Sequence, residues 1–382
     1  MSARNMEYIE NIHLIADQVL KNCSECGSCV NDCEFLTKYG SPNQLAEIFQ
    51  NKLIEASQIA YSCNICGLCG KVCPEGIDTG KLCMAAREKL VSDGKAPLPE
   101  HQAVKKTQEF VLSNAFHLIH SDPRTGKCER VFFPGCTLSG YAPGLVVKSY
   151  EYLLDRLTDT GIILGCCGGP NHFLGEQAVF RQILTDIEND MKKLGASEMI
   201  VACPDCYRNM AENLPHMRFK SIYEVMVELG LPEGVKGERR IFSIHDSCTA
   251  RNLTGLRESV RFLIREMGYE IEEVEYSGEK ARCCGMGGMV PFIDFDLAGN
   301  ITKRRADEFH FDIVSYCAGC REALAMNKTS LHLLDLIFNP NWKEVGHQVT
   351  KTGKKRREAQ SQTKVLLLEL LQNTKSEKPV GR

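Results

Sequence analysis

Apolar residues recur at helical spacing through the first third of the chain. Ile9, Ile12, Leu14, Ile15 and Val19 predict a helix over Glu7–Leu20. Leu45, Ile48, Phe49, Leu53 and Ile54 predict a second over Gln44–Ile59. A third runs over Thr79–Val91, and Gly94, Pro97 and Pro99 end it. Ala103–His120 reads as a linking helix, closed by the turn Ser121-Asp122-Pro123-Arg124-Thr125-Gly126.

Beyond that turn the pattern changes to short apolar strands alternating with longer amphipathic helices. Strands are predicted at Arg130–Pro134, Gly161–Leu164 and Met199–Ala202, and helices at Leu145–Leu157 and Glu176–Leu194. The pattern then repeats, with strands at Ile241–Ile244, Glu270–Glu275 and Ile313–Tyr316 and helices at Leu256–Met267 and Phe295–Phe309. Alternation of this kind predicts an α/β fold with parallel sheets, here behind an all-α N-terminal part. The helical stripes are core-facing surfaces rather than ligand contacts. At the far end, the basic run Lys351–Arg357 precedes a short helical stretch carrying Val365-Leu366-Leu367-Leu368 and Leu370-Leu371.

Composition narrows the chemistry. With 382 residues and 43% hydrophobic content, the chain can bury the cores of two or three domains. A net charge of −3 leaves no nucleic-acid footprint. No run approaches the length of a spanning helix, and the polar Met1–Glu10 does not resemble a secretory leader, so a cytoplasmic chain is expected. Eighteen of its 20 cysteines fall into four clusters of metal-ligand spacing. In a reducing compartment such clusters mean metal or redox chemistry, not structural disulfides.

Two clusters share one spacing: Cys23-x-x-Cys26-x-x-Cys29-x-x-x-Cys33 and Cys63-x-x-Cys66-x-x-Cys69-x-x-x-Cys73-Pro74. A cysteine every third residue wraps three corners of a 4Fe–4S cubane, and the fourth points away to the other cluster. Cys23, Cys26, Cys29 and Cys73 are therefore assigned to one cubane, and Cys63, Cys66, Cys69 and Cys33 to the other. The first run departs from the second by Glu34 in place of Pro74. Paired zinc ribbons would need Cys-x-x-Cys pairs separated by a longer loop.

The other two clusters are copies of each other. Cys136, Cys166-Cys167-Gly168 and Cys203-x-x-Cys206 match Cys248, Cys283-Cys284-Gly285 and Cys317-x-x-Cys320, and the period reads as one duplicated domain. The thiols fall just past the carboxyl ends of the predicted strands, where open parallel sheets place their ligand sites. Gly168 and Gly285 supply permissive dihedrals for the turn after each cysteine pair. Gly285-Met286-Gly287-Gly288 lacks dinucleotide-loop spacing, so flavin or nicotinamide chemistry falls to a partner.

The doubled Cys…Cys-Cys-Gly…Cys-x-x-Cys pattern resembles the cysteine-rich CCG domains of heterodisulfide reductases. With the two ferredoxin-type runs ahead of it, the layout is similar to the fused D subunit of that enzyme. Similar layouts occur in iron–sulfur subunits of glycolate oxidase and anaerobic glycerol-3-phosphate dehydrogenase. The resemblance covers Cys23 to Cys320 and eighteen of the twenty cysteines. It implies an α-helical ferredoxin-like domain over 1–100, a linker helix over 101–127, Rossmann-like CCG domains over 128–237 and 238–345, and a basic, amphipathic tail over 346–382.

Carried over, Cys136, Cys166, Cys167, Cys203 and Cys206 hold one noncubane 4Fe–4S cluster, and Cys248, Cys283, Cys284, Cys317 and Cys320 hold the other. Zinc is the alternative in one copy, because 29 residues between Cys136 and Cys166 and 32 between Cys284 and Cys317 are short for the family. In the family the clusters reduce a disulfide, or oxidise two thiols, with electrons from the cubanes. The expected partners are a flavoprotein or other electron-donor subunit, a small disulfide or thiol, and a membrane cytochrome or quinone-reactive subunit at the inner membrane face. The second reading is a relay between a flavoprotein dehydrogenase (glycolate, lactate or glycerol-3-phosphate type) and a quinone or membrane cytochrome.

Other residues carry less. Cys83 and Cys128 lack motif partners and read as small buried hydrophobes. His245, next to Asp246 and near Cys248, is a candidate proton donor to a departing thiolate, and His172 has a similar claim. The C-terminal stretch reads as a linker and docked helix, or as a docking element for a partner or an anionic membrane face.

Overall fold

The computed structural model describes residues 3–346 and 352–376, with side chains over 11–346 and 352–375. The readings of Met1–Glu10 as leaderless and of Lys351 as part of a basic run lie outside the described side chains. Up to Val111 every regular element among the described residues is helical. The helix Ala3–Asn22 buries Ile12, Ala16 and Val19, one face at i, i+4 and i+7, against helices Pro42–Asn51 and Thr79–Ser92. Pro42–Asn51 is started by Ser41, whose hydroxyl accepts from the Gln44 N–H while the Gln44 side chain accepts from the Ser41 N–H.

Two expected helices are each divided. The stretch 44–59 stops at Asn51 and restarts as Ser57–Tyr61. Its apolar period continues through Ile54, but that side chain is 53% exposed, so packing does not reward an unbroken helix there. The stretch 103–120 is helical only over Gln102–Val111. Leu118–His120 is instead strand β1, paired antiparallel with β3 (Thr160–Leu164). The Asp122 carboxylate fixes the following turn by accepting from the Arg124 guanidinium and the Thr160 N–H.

Two sheets follow. β2 (Arg130–Phe133), β3, β4 (Glu198–Val201) and β5 (Arg218–Ser221) run parallel in the order β1-β3-β2-β4-β5. β6 (Ile241–His245), β7 (Glu270–Glu272), β8 (Ile313–Ser315) and β9 (Ser330–His332) run parallel in the order β7-β6-β8-β9. Without β1 the two orders are the same, so the duplication seen in the cysteines extends to the backbone. β5 and β9 are short edge strands of mostly polar sequence, which carries no apolar signal.

One apolar cluster joins both copies: Phe132, Ile162 and Ile200 of the first share it with Ile244, Val314 and Leu331 of the second. The C-terminal stretch adds to it as one long helix, Gly353–Ser376, with Leu367 and Leu371 buried. Gln360 Nε2 donates to the Cys136 carbonyl at 2.9 Å and Thr363 Oγ1 to the Ser139 carbonyl at 2.8 Å. Leu367→Ala should therefore cost about 2–5 kcal/mol, read as a lowered denaturation midpoint. An unchanged midpoint would show that this helix does not dock.

Candidate metal centres

Both N-terminal runs bend in the same way. Glu25 and Gly27 flank Cys26 at φ +53° and +77°, and Ile65 and Gly67 flank Cys66 at +52° and +71°. Two left-handed residues around the middle cysteine curl each loop so that its thiols converge. The fourth cysteines cross over. Burial pushes the Cys29 thiol up to about 11, and its charged neighbours are Cys73, Cys23 and Cys26. Burial pushes Cys33 up to about 12, and there the neighbours are Cys66 and Cys63. One cavity is lined by Cys33, Cys63, Cys66 and Cys69, with Cys283 in its wall. Glu34, which departs from the Pro74 pattern, opens the helix Glu34–Tyr39 and pairs with Arg304 at 2.9 Å.

In each copy the cysteines follow the carboxyl ends of parallel strands. Cys136 follows β2, Cys166-Cys167 follow β3, and Cys203 caps the helix Pro204–Asn213 after β4. Cys248 follows β6, Cys283-Cys284 follow the β7 loop, and Cys317 caps the helix Ala318–Leu324 after β8. Gly168 (φ +77°) and Gly285 (φ +87°) make the turn after each pair, and a Cβ at Gly285 would lie 2.5 Å from Thr302 Oγ1. Within the sets, Cys136 and Cys166 Sγ are 3.7 Å apart and Cys284 and Cys320 Sγ 3.3 Å.

The sets touch. Cys283 lies beside Cys66 and is the main cause that lowers the Cys66 thiol to about 7. Cys203 likewise lies beside Cys317 and lowers its thiol, so thiols of the two copies are neighbours. The second copy also grips the N-terminal loops. Asn64 Nδ2 donates to the carbonyls of Gly285 (3.0 Å) and Gly287 (2.8 Å). Arg251 donates to the Cys66 carbonyl at 3.1 Å, and Arg282 to the Asp32 carbonyl and carboxylate. The Gly285–Gly288 run is thus glycine-rich so that two backbones can approach, with no phosphate to cradle.

Several partners carried no sequence signal. Asn209 Nδ2 faces Cys167 Sγ at 3.8 Å, and Gln108, on the linking helix, faces Cys166 at 3.5 Å. Cys128 packs in an apolar cluster, its Sγ donating to the Arg130 carbonyl. Cys83 is fully buried as expected, yet its thiol is hydrogen-bonded to Cys63. His172 is bonded to Gln177 and lies tilted against Phe180, and burial lowers its imidazole pKa. His245 is fully buried, and its Nδ1 accepts from Arg305 Nε at 3.1 Å. The proton then sits on Nε2, which has no oxygen or nitrogen partner. One His245 ring nitrogen and the Cys284 and Cys320 thiols lie within 4.8 Å of one another.

The donor sets suit iron–sulfur clusters. All twenty cysteines are free, and buried thiolates that repel one another need a polynuclear cation to ionise together. Among the described residues no helix is long and apolar enough to cross a membrane.

Comparison with known proteins agrees with this donor chemistry. Residues 22–78 match the family described as a 4Fe-4S dicluster domain, and residues 130–211 and 242–325 each match the family described as a cysteine-rich domain. The chain is 26% identical to the D subunit of the dihydromethanophenazine:CoB–CoM heterodisulfide reductase of Methanosarcina mazei, covering 86% of this chain and 94% of that one. It is 23% identical to the B subunit of the CoM/CoB fumarate reductase of Methanothermobacter marburgensis, over 84% of this chain and 70% of that one. It is 24% identical to the EtfAB:quinone oxidoreductase of Syntrophomonas wolfei, over 53% and 32%.

Proposed function

We propose, for an iron–sulfur protein similar to the D subunit of heterodisulfide reductase, with a 4Fe-4S dicluster domain ahead of two cysteine-rich domains, that the chain passes electrons inward to reduce a disulfide. One observation carries the reading: two thiol pairs, Cys66 beside Cys283 and Cys317 beside Cys203, join three of the sets in sequence, and the proposed path enters through the fourth. Cys23, Cys26, Cys29 and Cys73 begin it, at a loop where Cys26 is exposed. Cys33, Cys63, Cys66 and Cys69 follow, then the second copy's five cysteines and last the first copy's five.

Clusters bound there would store and release single electrons. Reduction of one disulfide takes two electrons and two protons and releases two thiols. The chain's own part is to hold the cysteine sets in contact and to place polar hydrogens at their sulfurs. Asn209 serves Cys167, and His245, locked by Arg305, serves Cys284. In this reading His245 is the candidate proton donor, its Nε2–H directed at the site. The ferredoxin-like and Rossmann-like assignments, the domain limits above, a flavoprotein donor and docking at the inner membrane face belong to the same proposal.

Anaerobic purification, metal counting and EPR after mild oxidation with thiol present test it. About sixteen irons and a signal that appears only with thiol are expected. About eight irons with zinc and no such signal would favour the relay reading, in which a flavoprotein's electrons pass to a quinone. The partial likeness to the EtfAB:quinone oxidoreductase supports that second reading.

A further inference from the structure

Arg87 is fully buried in the helix Thr79–Ser92 and meets no carboxylate among the described residues. Its guanidinium donates to four carbonyls: Ala60 at 2.9 Å, Cys63 at 2.6 Å, Phe173 at 2.8 Å and Gly288 at 3.0 Å. Those carbonyls belong to the N-terminal helical part, the first copy and the second copy. Its remaining face lies over the Tyr61 ring, 4.9 Å from the centroid. Burial lowers its pKa from the usual guanidinium value, and the neighbours that oppose this are Cys63, Cys83 and Tyr61.

Arg251 repeats the arrangement from the opposite side. It is 5% exposed and donates to the carbonyls of Cys66, Glu279 and Ala281. Two other buried arginines have acids: Arg282 pairs with Asp32 and Glu308, and Arg305 with Glu308. A guanidinium taken out of water without a counter-ion is strongly unfavourable, and dipoles of carbonyls only partly offset it. Both unpaired cations hold the backbone of the same thiol set, at Cys63 and at Cys66. The neighbours acting on Cys29, in the other N-terminal set, are thiols.

We propose that Arg87 and Arg251 are the counter-charges of the cluster held by Cys33, Cys63, Cys66 and Cys69, and that they set its reduction potential above that of the Cys23, Cys26, Cys29 and Cys73 cluster. The inference rests on the proposed electron-carrying function. Four thiolates give a cubane net negative charge that grows on reduction, so a fixed cation beside it favours the reduced state. The bias sends electrons from the exposed loop toward Cys283. It also makes Arg87 a positioning residue, because the same group ties the three parts of the chain at the junction.

The test uses the full chain, anaerobically loaded, with Arg87→Met, Arg87→Lys and Arg251→Met variants. EPR-monitored potentiometry should show one cubane signal moving to lower potential in Arg87→Met and Arg251→Met while the other stays. Arg87→Lys should move it less. The stability gained on loading, loaded minus metal-free midpoint, should shrink in Arg87→Met relative to wild type. Full iron with both potentials and the loading gain unchanged would overturn the inference and leave the electron-carrying function standing. Wild-type protein that takes up no iron would overturn both. If Arg87→Met does not fold, Arg251→Met and Arg87→Lys decide the same question.

Discussion

Cys66→Ala protein is expected to lose roughly four irons and to deliver electrons to its C-terminal half at least about a hundredfold more slowly. Cys66 does two things at once. It lines the cavity with Cys33, Cys63 and Cys69, and its thiol lies beside Cys283 of the second copy. Removing it takes away a ligand and the contact through which the N-terminal sets reach the rest of the line. The fold should survive, because alanine fills part of the space and the surrounding carbonyl bonds from Arg87 and Arg251 do not use the thiol. Iron counting and rapid-mixing absorbance against a one-electron donor would read both effects. Cys128→Ala is the control: that thiol donates to the Arg130 carbonyl and its charged neighbours are Asp122, Arg130 and Asp159, so iron and rate should match wild type. A full iron count in Cys66→Ala would sink the ligand assignment.

The second large effect is expected at Gly288. Its φ is +64°, and a Cβ there would sit 2.4 Å from the Cys63 carbonyl oxygen and 2.7 Å from the Asn64 backbone. Neither is the end of a flexible side chain, so Gly288→Ala must push the second copy off the cysteine loop. Strain at positive φ and overpacking together suggest a cost of about 2–5 kcal/mol. Faster proteolysis between the N-terminal part and the second copy should accompany a lower denaturation midpoint. Gly299→Ala, in the helix Phe295–Asp307 with open space at its Cβ, should leave the midpoint unchanged or raise it by about 0.5–1 kcal/mol. Equal midpoints for the two variants would refute the close-approach argument.

Much of the site is local in sequence and therefore legible there. The three-residue spacing of Cys23 to Cys29 and Cys63 to Cys69 is itself the loop geometry, and the crossing of Cys33 and Cys73 follows from where the fourth cysteine can point. Strand ends locate most of the thiols of both copies, because a short apolar run stops where its cysteine begins; Cys283 and Cys284, beyond the loop after β7, are the exception. What could not be read comes from distant residues. Arg87 finds its carbonyl partners at Phe173 and Gly288, and Asn64 finds Gly285, through contacts that no periodicity marks. Leu118–His120 reads as helix because Leu-Ile suits either state; pairing with β3 makes it a strand. Spacing alone excludes Gly285–Gly288 as a nucleotide loop, but its real use, a close fit to Cys63 and Asn64, needs the partner backbone in place.

The chain does not visit its thiol sets in the order in which they touch. The first copy is translated next after the N-terminal helices, yet Cys66 meets Cys283 of the second, and only Cys317 leads back to Cys203. A polypeptide ending after β5 would carry both ends of the line and lack its middle. On the proposed electron path the circuit is therefore closed only by the last third of the chain, and a nonsense product that stops short of it would be an open circuit.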